Sequence, residues 1–235
     1  MKTIGLIGGM SWESSAEYYR ILNEELNKRL GGLHSAKIIL HSVDFEEIEH
    51  CQKTGEWEKA GEILANCASS LERAGANFIL LCTNTMHKVV EQMERQVNIP
   101  IIHIADATSK SIRDKKIKKV GLLGTSYTME QDFYKQRVAN NGIEVIVPGE
   151  KERDKINRII FNELCLGKIE ADSKDYYKAV MEALVNQGAE GIILGCTEIG
   201  LLIKKEDCPV PVFDTAYIHA ITAVEKALEE GEFHG

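Results

Sequence analysis

AGANFILLCTNT, residues 74–85, and QGAEGIILGCTE, residues 187–198, decide the fold, because they are one pattern written twice at an offset of 113. Each opens beside a glycine, runs through apolar, β-favouring residues, and ends in a cluster of thiol, hydroxyl and amide or carboxyl groups. The match extends outward in both directions. IGLIGGMS (4–11) pairs with VGLLGTSY (120–127) at an offset of 116, and NIPIIHIAD (98–106) with PVPVFDTA (209–216), where Pro100 matches Pro211 at 111. Three matches in the same order, drifting by a few residues, predict two copies of one α/β unit.

Between these anchors, short β-rich runs alternate with helical patterns, the signature of a mostly parallel sheet. The strands expected are 3–7, 37–41, 78–81, 101–104, 119–123, 144–147, 191–194 and 210–213. The helices expected are 14–30, 57–74, 88–96, 130–140, 173–187 and 216–229. The fold class is therefore α/β: two similar domains, each a parallel sheet flanked by helices, related by pseudo-twofold symmetry with the active site between them. The first domain is placed at 1–112 and the second at 113–214, with a C-terminal helix, 215–235, packing back on the first. Open sheets of this kind bind ligands at the carboxyl ends of their strands. GGMS, CTNT, GTSY and GCTE are the loops at those ends.

Composition narrows the function. The chain has 235 residues, 44% hydrophobic and 27% charged, ordinary for a soluble protein. A formal net charge of −8 disfavours nucleic acid and anionic membranes as partners. No segment approaches a membrane span and MKTIGLIGG is too short and glycine-rich for a signal core, so a cytoplasmic location is expected. The six cysteines are scattered with no CxxC pair, which argues for reduced thiols rather than a disulfide frame or a metal site. GLIGGMS lacks both GxGxxG and a GK[ST] ending, so it is not read as a phosphate loop.

Counting eight residues from Gly75 and from Gly188 sets Thr83 opposite Cys196 and Cys82 opposite Gly195. Neighbouring side chains on a strand point to opposite faces, so if Cys196 faces the ligand, Thr83 does too and Cys82 points into packing. Two proton-handling groups on either side of a small substrate is the arrangement that inverts a carbon centre. A thiol suits the task because its ordinary pKa, about 8.5, lies near neutrality. The helical turn expected after Cys196 should lower it further, by roughly one unit at most. Thr83 has no comparable acidity and passes a proton only in a concerted step or through a water. Thr125, the counterpart of Gly9, adds a hydroxyl or N–H. Asn84 and Thr85 can cap the next helix as well as bind ligand. His87, His103, Asp106, Asp214 and Lys168 are read as structural or solvated.

LCTNTMH (81–87) and IILGCTEIGLLI (192–203), with GLIGGMS near the N-terminus, resemble the paired signatures of the aspartate/glutamate racemase family, and the resemblance covers essentially the whole chain. MKTIGLIGGMSWES, HSVDF, LCTNTMHK and YTMEQDFY are more similar to its enteric branch of broad-specificity and L-aspartate/glutamate racemases. The resemblance implies two α/β domains, no pyridoxal phosphate or metal, and a homodimer acting on an amino acid. It places Thr83 and Cys196 at the two catalytic positions, with Cys196 acting on the L-enantiomer, and departs from the family where CTNT replaces CNT. Met10, Gln52, Asn84, Thr85, Thr197 and Glu198 match substrate-lining positions, and neutral Gln52 favours breadth of substrate. Hydantoin racemase or maleate isomerase chemistry, and an impaired amino-acid-binding protein, stand as alternatives.

Overall fold

A computed structural model describes residues 1–229. The part of the expected C-terminal helix at 230–235 lies outside them. The first sheet contains β1 (Ile4–Gly8), β2 (Ile38–Ser42), β3 (Phe78–Leu81) and β4 (Ile101–Ile102), ordered β2-β1-β3-β4 and parallel throughout. The second contains β5 (Lys119–Gly124), β6 (Glu144–Ile146), β7 (Gly191–Gly195) and β8 (Val212–Asp214), in the same order, β6-β5-β7-β8. Both central strands of each sheet are buried along their length, apart from the half-buried Lys119 that opens β5, as parallel sheets covered on two faces require.

The repeat offsets reappear as strand register. Ile4 pairs with Phe78, and Val120, 116 residues on, pairs with Gly191, 113 residues on. Ile79 pairs with Ile101, while Ile192 pairs with Val212. Gly75 and Gly188, which open the repeats, adopt φ of +96° and +92°, a left-handed region that side chains with a Cβ resist. The glycine reverses the chain between a helix and its strand in both copies.

Contact density divides the chain into two units. The first comprises Met1–Cys82, Val89–His103 and the chain from His219; the second comprises Thr83–Lys88 and Ile104–Ile218. Residues 104–112, assigned to the first domain from sequence, thus count with the second. The sheet of the first unit is flanked by α1 (Trp12–Leu30), α2 (Phe45–Thr54), α3 (Trp57–Arg73) and the short α4 (Val90–Glu94). In α1 the buried residues Ser14, Ser15, Tyr18, Ile21, Leu22 and Leu26 fall on one stripe, and Ser11 caps the start by accepting from Ser14 N–H. The second unit adds α5 (Ile104–Asp114), α6 (Ser126–Glu130), α7 (Asp132–Ala139), α8 (Glu150–Asn162), α9 (Ala171–Asn186) and α10 (Ile199–Leu202). α11 (Thr215–Leu228) begins in the second unit and continues in the first.

Three sequence expectations need correction. The strand expected over 101–104 stops at Ile102, and Ile104 starts α5. The helix expected over 88–96 is a 3-10 turn, Thr85–Val89, followed by the single turn and a half of α4. Helices α2, α5 and α8 had no counterpart in the reading. The buried side of α5 is largely small or polar, with Ala105, Ala107, Thr108 and Ser109, so hydropathy does not reveal it.

In the first unit a buried chain ties α11 to α1 and β4. Tyr18 Oη lies 2.8 Å from His219 Nδ1, and His219 Nε2 lies 2.8 Å from the Ile102 carbonyl. A carbonyl only accepts, so Nε2 carries the proton, Nδ1 accepts, and Tyr18 donates. Complete burial pulls the imidazole down to about 4. The neutral ring therefore contributes stability that is full above the ordinary histidine value and lost as pH falls from about 6.5 towards 4, by about 3 kcal/mol in all. His219→Gln is expected to flatten this acid limb in denaturant unfolding measured between pH 7 and 4; an unchanged slope would assign the limb to other groups.

Candidate active site

Within the second unit, the ends of β5 and β7 come together through two glycines. Gly124 pairs with Gly195, and a Cβ on Gly195 would stand 2.7 Å from Leu122 Cδ1 and 2.9 Å from the Leu123 carbonyl. No side chain fits there, so the strand ends approach closely and the next residues, Thr125 and Cys196, carry the first polar side chains. In the first sheet Leu81 occupies the register position of Leu194, which makes Cys82 the counterpart of Gly195 and Thr83 that of Cys196.

Cys196 Sγ lies 2.9 Å from Glu198 Oε2, and Thr197 Oγ1 lies 2.9 Å from the same oxygen. Cys196 is 7% exposed and Glu198 2%. One carboxylate oxygen therefore accepts from a thiol and a hydroxyl in a nearly dry site, the situation in which charge-assisted hydrogen bonds are strongest. The thiol's acidity runs opposite to the sequence expectation. Burial first, then the Glu198 carboxylate and the neighbouring Cys165, push Cys196 well above the usual thiol range. α10, the helix expected to lower it, is a single turn of four residues. Its small dipole loses to a charge in hydrogen-bond contact. The resting group is a protonated thiol that donates its hydrogen bond to Glu198.

Asn84, Thr85 and their neighbours complete the cluster. Asn84 Nδ2 donates to Thr215 Oγ1 at 3.0 Å, and Thr215 Oγ1 donates to the Leu194 carbonyl at 2.7 Å. Asn84 Oδ1 is buried without a hydrogen-bond partner. Thr85 Oγ1 lies 3.0 Å from Thr125 Oγ1, which caps α6 by accepting from Thr128 N–H at 3.2 Å. Neither the Asn84 nor the Thr85 side chain caps the helix that follows, which removes the local reading of both. His87 Nδ1 lies 2.7 Å from the Thr83 carbonyl and His87 Nε2 accepts from Ile104 N–H at 3.2 Å. By the carbonyl argument used above, His87 is a neutral brace that holds the backbone of Thr83.

Cys82 is fully buried, and desolvation raises its thiol far beyond the ordinary range. Cys82→Ala is expected to cost about 1–3 kcal/mol of stability, the usual range for a small buried truncation, without abolishing activity. Loss of activity with an unchanged melting curve would instead move the reactive position onto Cys82. Met10, between β1 and α1, and Gln52, on α2, are both buried in the first unit. Thr128 and Thr215 were not anticipated as parts of the site, because they meet Thr85 and Asn84 across 43 and 131 positions, whereas His87, read as structural, braces the Thr83 backbone. Among the described residues no group of three or more His, Cys, Asp or Glu side chains is placed to hold a metal, and no helix is long and apolar enough to cross a membrane.

The thiol–carboxylate pair and the buried hydroxyls thus stand at the strand ends of a parallel α/β fold. The family model for Asp/Glu/hydantoin racemases matches residues 7–223, and the chain belongs to that family. It is 39% identical to an aspartate racemase homologue from Pyrococcus horikoshii OT3, over 97% of this chain and 99% of that one, with a TM-score of 0.83. A Yersinia pestis protein provisionally described as an Asp/Glu racemase is 55% identical over 97% and 100% of the two chains, with a TM-score of 0.90. The broad specificity amino-acid racemase RacX of Bacillus subtilis is 27% identical over 164 residues, 68% of this chain and 69% of that one.

Proposed function

We propose that the protein racemises amino acids, aspartate and glutamate or a wider set, by exchanging the α-proton between Cys196 and Thr83. The observation that carries this is the Cys196–Glu198 pair. Glu198 takes the thiol proton as substrate arrives; the thiolate then removes the α-proton of an L-amino acid and becomes a thiol again. Thr83, at the matching register position, delivers a proton from the other face and takes one from a water, and the proton held on Glu198 returns through solvent to neutralise the hydroxide so formed. A threonine hydroxyl has little acidity of its own, so this half of the exchange is the slower.

The polar groups fit the two ends of an amino acid. The unpartnered Asn84 Oδ1 asks for a donor, which an α-ammonium supplies. The Thr85 hydroxyl, backed by Thr125, donates to a carboxylate and stabilises the enolate-like charge that forms on its oxygens as the α-proton leaves. Thr197 is held by Glu198. Met10 and Gln52 complete the proposed substrate contacts, on the family resemblance. The reading includes action without pyridoxal phosphate or metal, a cytoplasmic location and assembly as a homodimer.

The test is incubation of single enantiomers in deuterated water, with no cofactor and with chelator present, following α-deuteration and chirality together. Deuterium entry with inversion supports the full reading, and entry with retained L-configuration limits activity to the Cys196 side. No entry with any amino acid overturns the racemase reading. A solution mass equal to one chain would remove the homodimer from it.

A further inference from the structure

Thr128 is fully buried, whereas Thr85 and Thr125 keep 6% and 5% of their surface. The three hydroxyl oxygens form a triangle: Thr85 to Thr125 is 3.0 Å, Thr125 to Thr128 is 3.1 Å, and Thr85 to Thr128 is 3.5 Å. A hydroxyl has one proton and two lone pairs. Without a ligand the three protons can circulate round the triangle, and each hydroxyl is satisfied. An anion arriving at the exposed edge must take one proton out, and the triangle opens where it is weakest, at the 3.5 Å side.

The Thr128 N–H already occupies one lone pair of Thr125 Oγ1. If the Thr128 hydroxyl fills the other, Thr125 accepts twice and its own proton must go to Thr85. Thr85 then has a single direction left for its proton, which is outward. We propose that Thr128 is a positioning residue that sets the direction of a three-hydroxyl relay, so that Thr85 presents its proton to a carboxylate of the amino-acid substrate. Thr128 never touches the ligand. Each bond in such a chain polarises the next, which strengthens the terminal donor. Without the Thr128 hydroxyl, Thr85 can turn its proton inward to Thr125, and the ligand competes with that bond. The proposal rests on the reading of this cluster as an amino-acid site.

The experiment is calorimetric binding of L-aspartate and of L-alanine, paired with α-deuterium exchange at saturating substrate, for the intact chain and for Thr128→Val and Thr128→Ser. Thr128→Val keeps the shape and loses the hydroxyl. It is expected to weaken L-aspartate binding about tenfold, the cost of one modest hydrogen bond. Thr128→Ser restores binding, which a purely structural role for the side chain would not predict. Thr85→Val should weaken binding similarly, and the double variant no further, because both changes cut one chain. Equal weakening for alanine assigns the relay to the α-carboxylate; weakening for aspartate alone assigns it to the side-chain carboxylate. Unchanged binding by Thr128→Val, or a serine variant as weak as the valine one, overturns the proposal. Binding without exchange in the intact chain would overturn the racemase reading and leave the relay standing.

Discussion

Cys196→Ser is expected to lower α-deuterium exchange from L-amino acids by roughly 10⁴-fold, the upper end of what one acid–base group contributes, with an unchanged melting curve. The substitution keeps the size and the hydrogen bond to Glu198 but replaces a thiol by a hydroxyl whose acidity resembles that of water, with a pKa of about 15.7. The carboxylate that can deprotonate a raised thiol cannot deprotonate a hydroxyl to any useful extent. Chirality decides between the two catalytic positions. If the serine variant still exchanges L-substrates at a rate within tenfold of the intact chain, the α-proton is being removed elsewhere.

Glu198→Gln probes the other member of the pair and has the second largest expected effect, a fall of about 10²-fold in the saturated rate. The glutamine amide oxygen can still accept from Cys196 and Thr197, so geometry survives while proton acceptance is lost. The pH profile carries more information than the rate. Burial and the Glu198 charge raise Cys196, so the thiolate is the minor form at neutral pH and the rate should climb as pH rises. Removing the charge lowers the thiol's pKa, so the climbing limb of Glu198→Gln should sit at lower pH with a reduced plateau. A limb that stays in place would show that the carboxylate does not govern the thiol.

These expectations differ from the sequence reading in one physical respect. In sequence, Cys196 is followed by Thr197, Glu198 and a helix, and a helix start lowers a thiol. In the folded chain the helix is one turn and the Glu198 carboxylate folds back onto the sulfur. A side chain two residues away can point anywhere, and its direction reverses the sign of the effect.

The repeat was legible because it records backbone requirements. Gly75 and Gly188 recur because both copies need a positive φ at the same turn, and Pro100 and Pro211 recur before the same strands. From those anchors the two-unit repeat and the correspondence of Thr83 with Cys196 follow by counting, whereas the strand order came from the fold. Helix α8 was not legible, since Glu150–Asn162 buries only Ile156, Ile159 and Ile160 among charged residues. Helix α2 buries Ile48, Cys51 and Gln52 and is similarly faint.

What the amino-acid order determined by itself is therefore periodic and local: two α/β units, their register, and which residues end the central strands. The tertiary structure decided what those residues meet. It joined Asn84 to Thr215, 131 positions away, and Thr85 to Thr125 and Thr128, 40 and 43 positions away. It also buried the thiol beside a carboxylate, which sets its acidity. Backbone conformation is written residue by residue, whereas hydrogen-bond partners and desolvation depend on distances that only the closed fold creates.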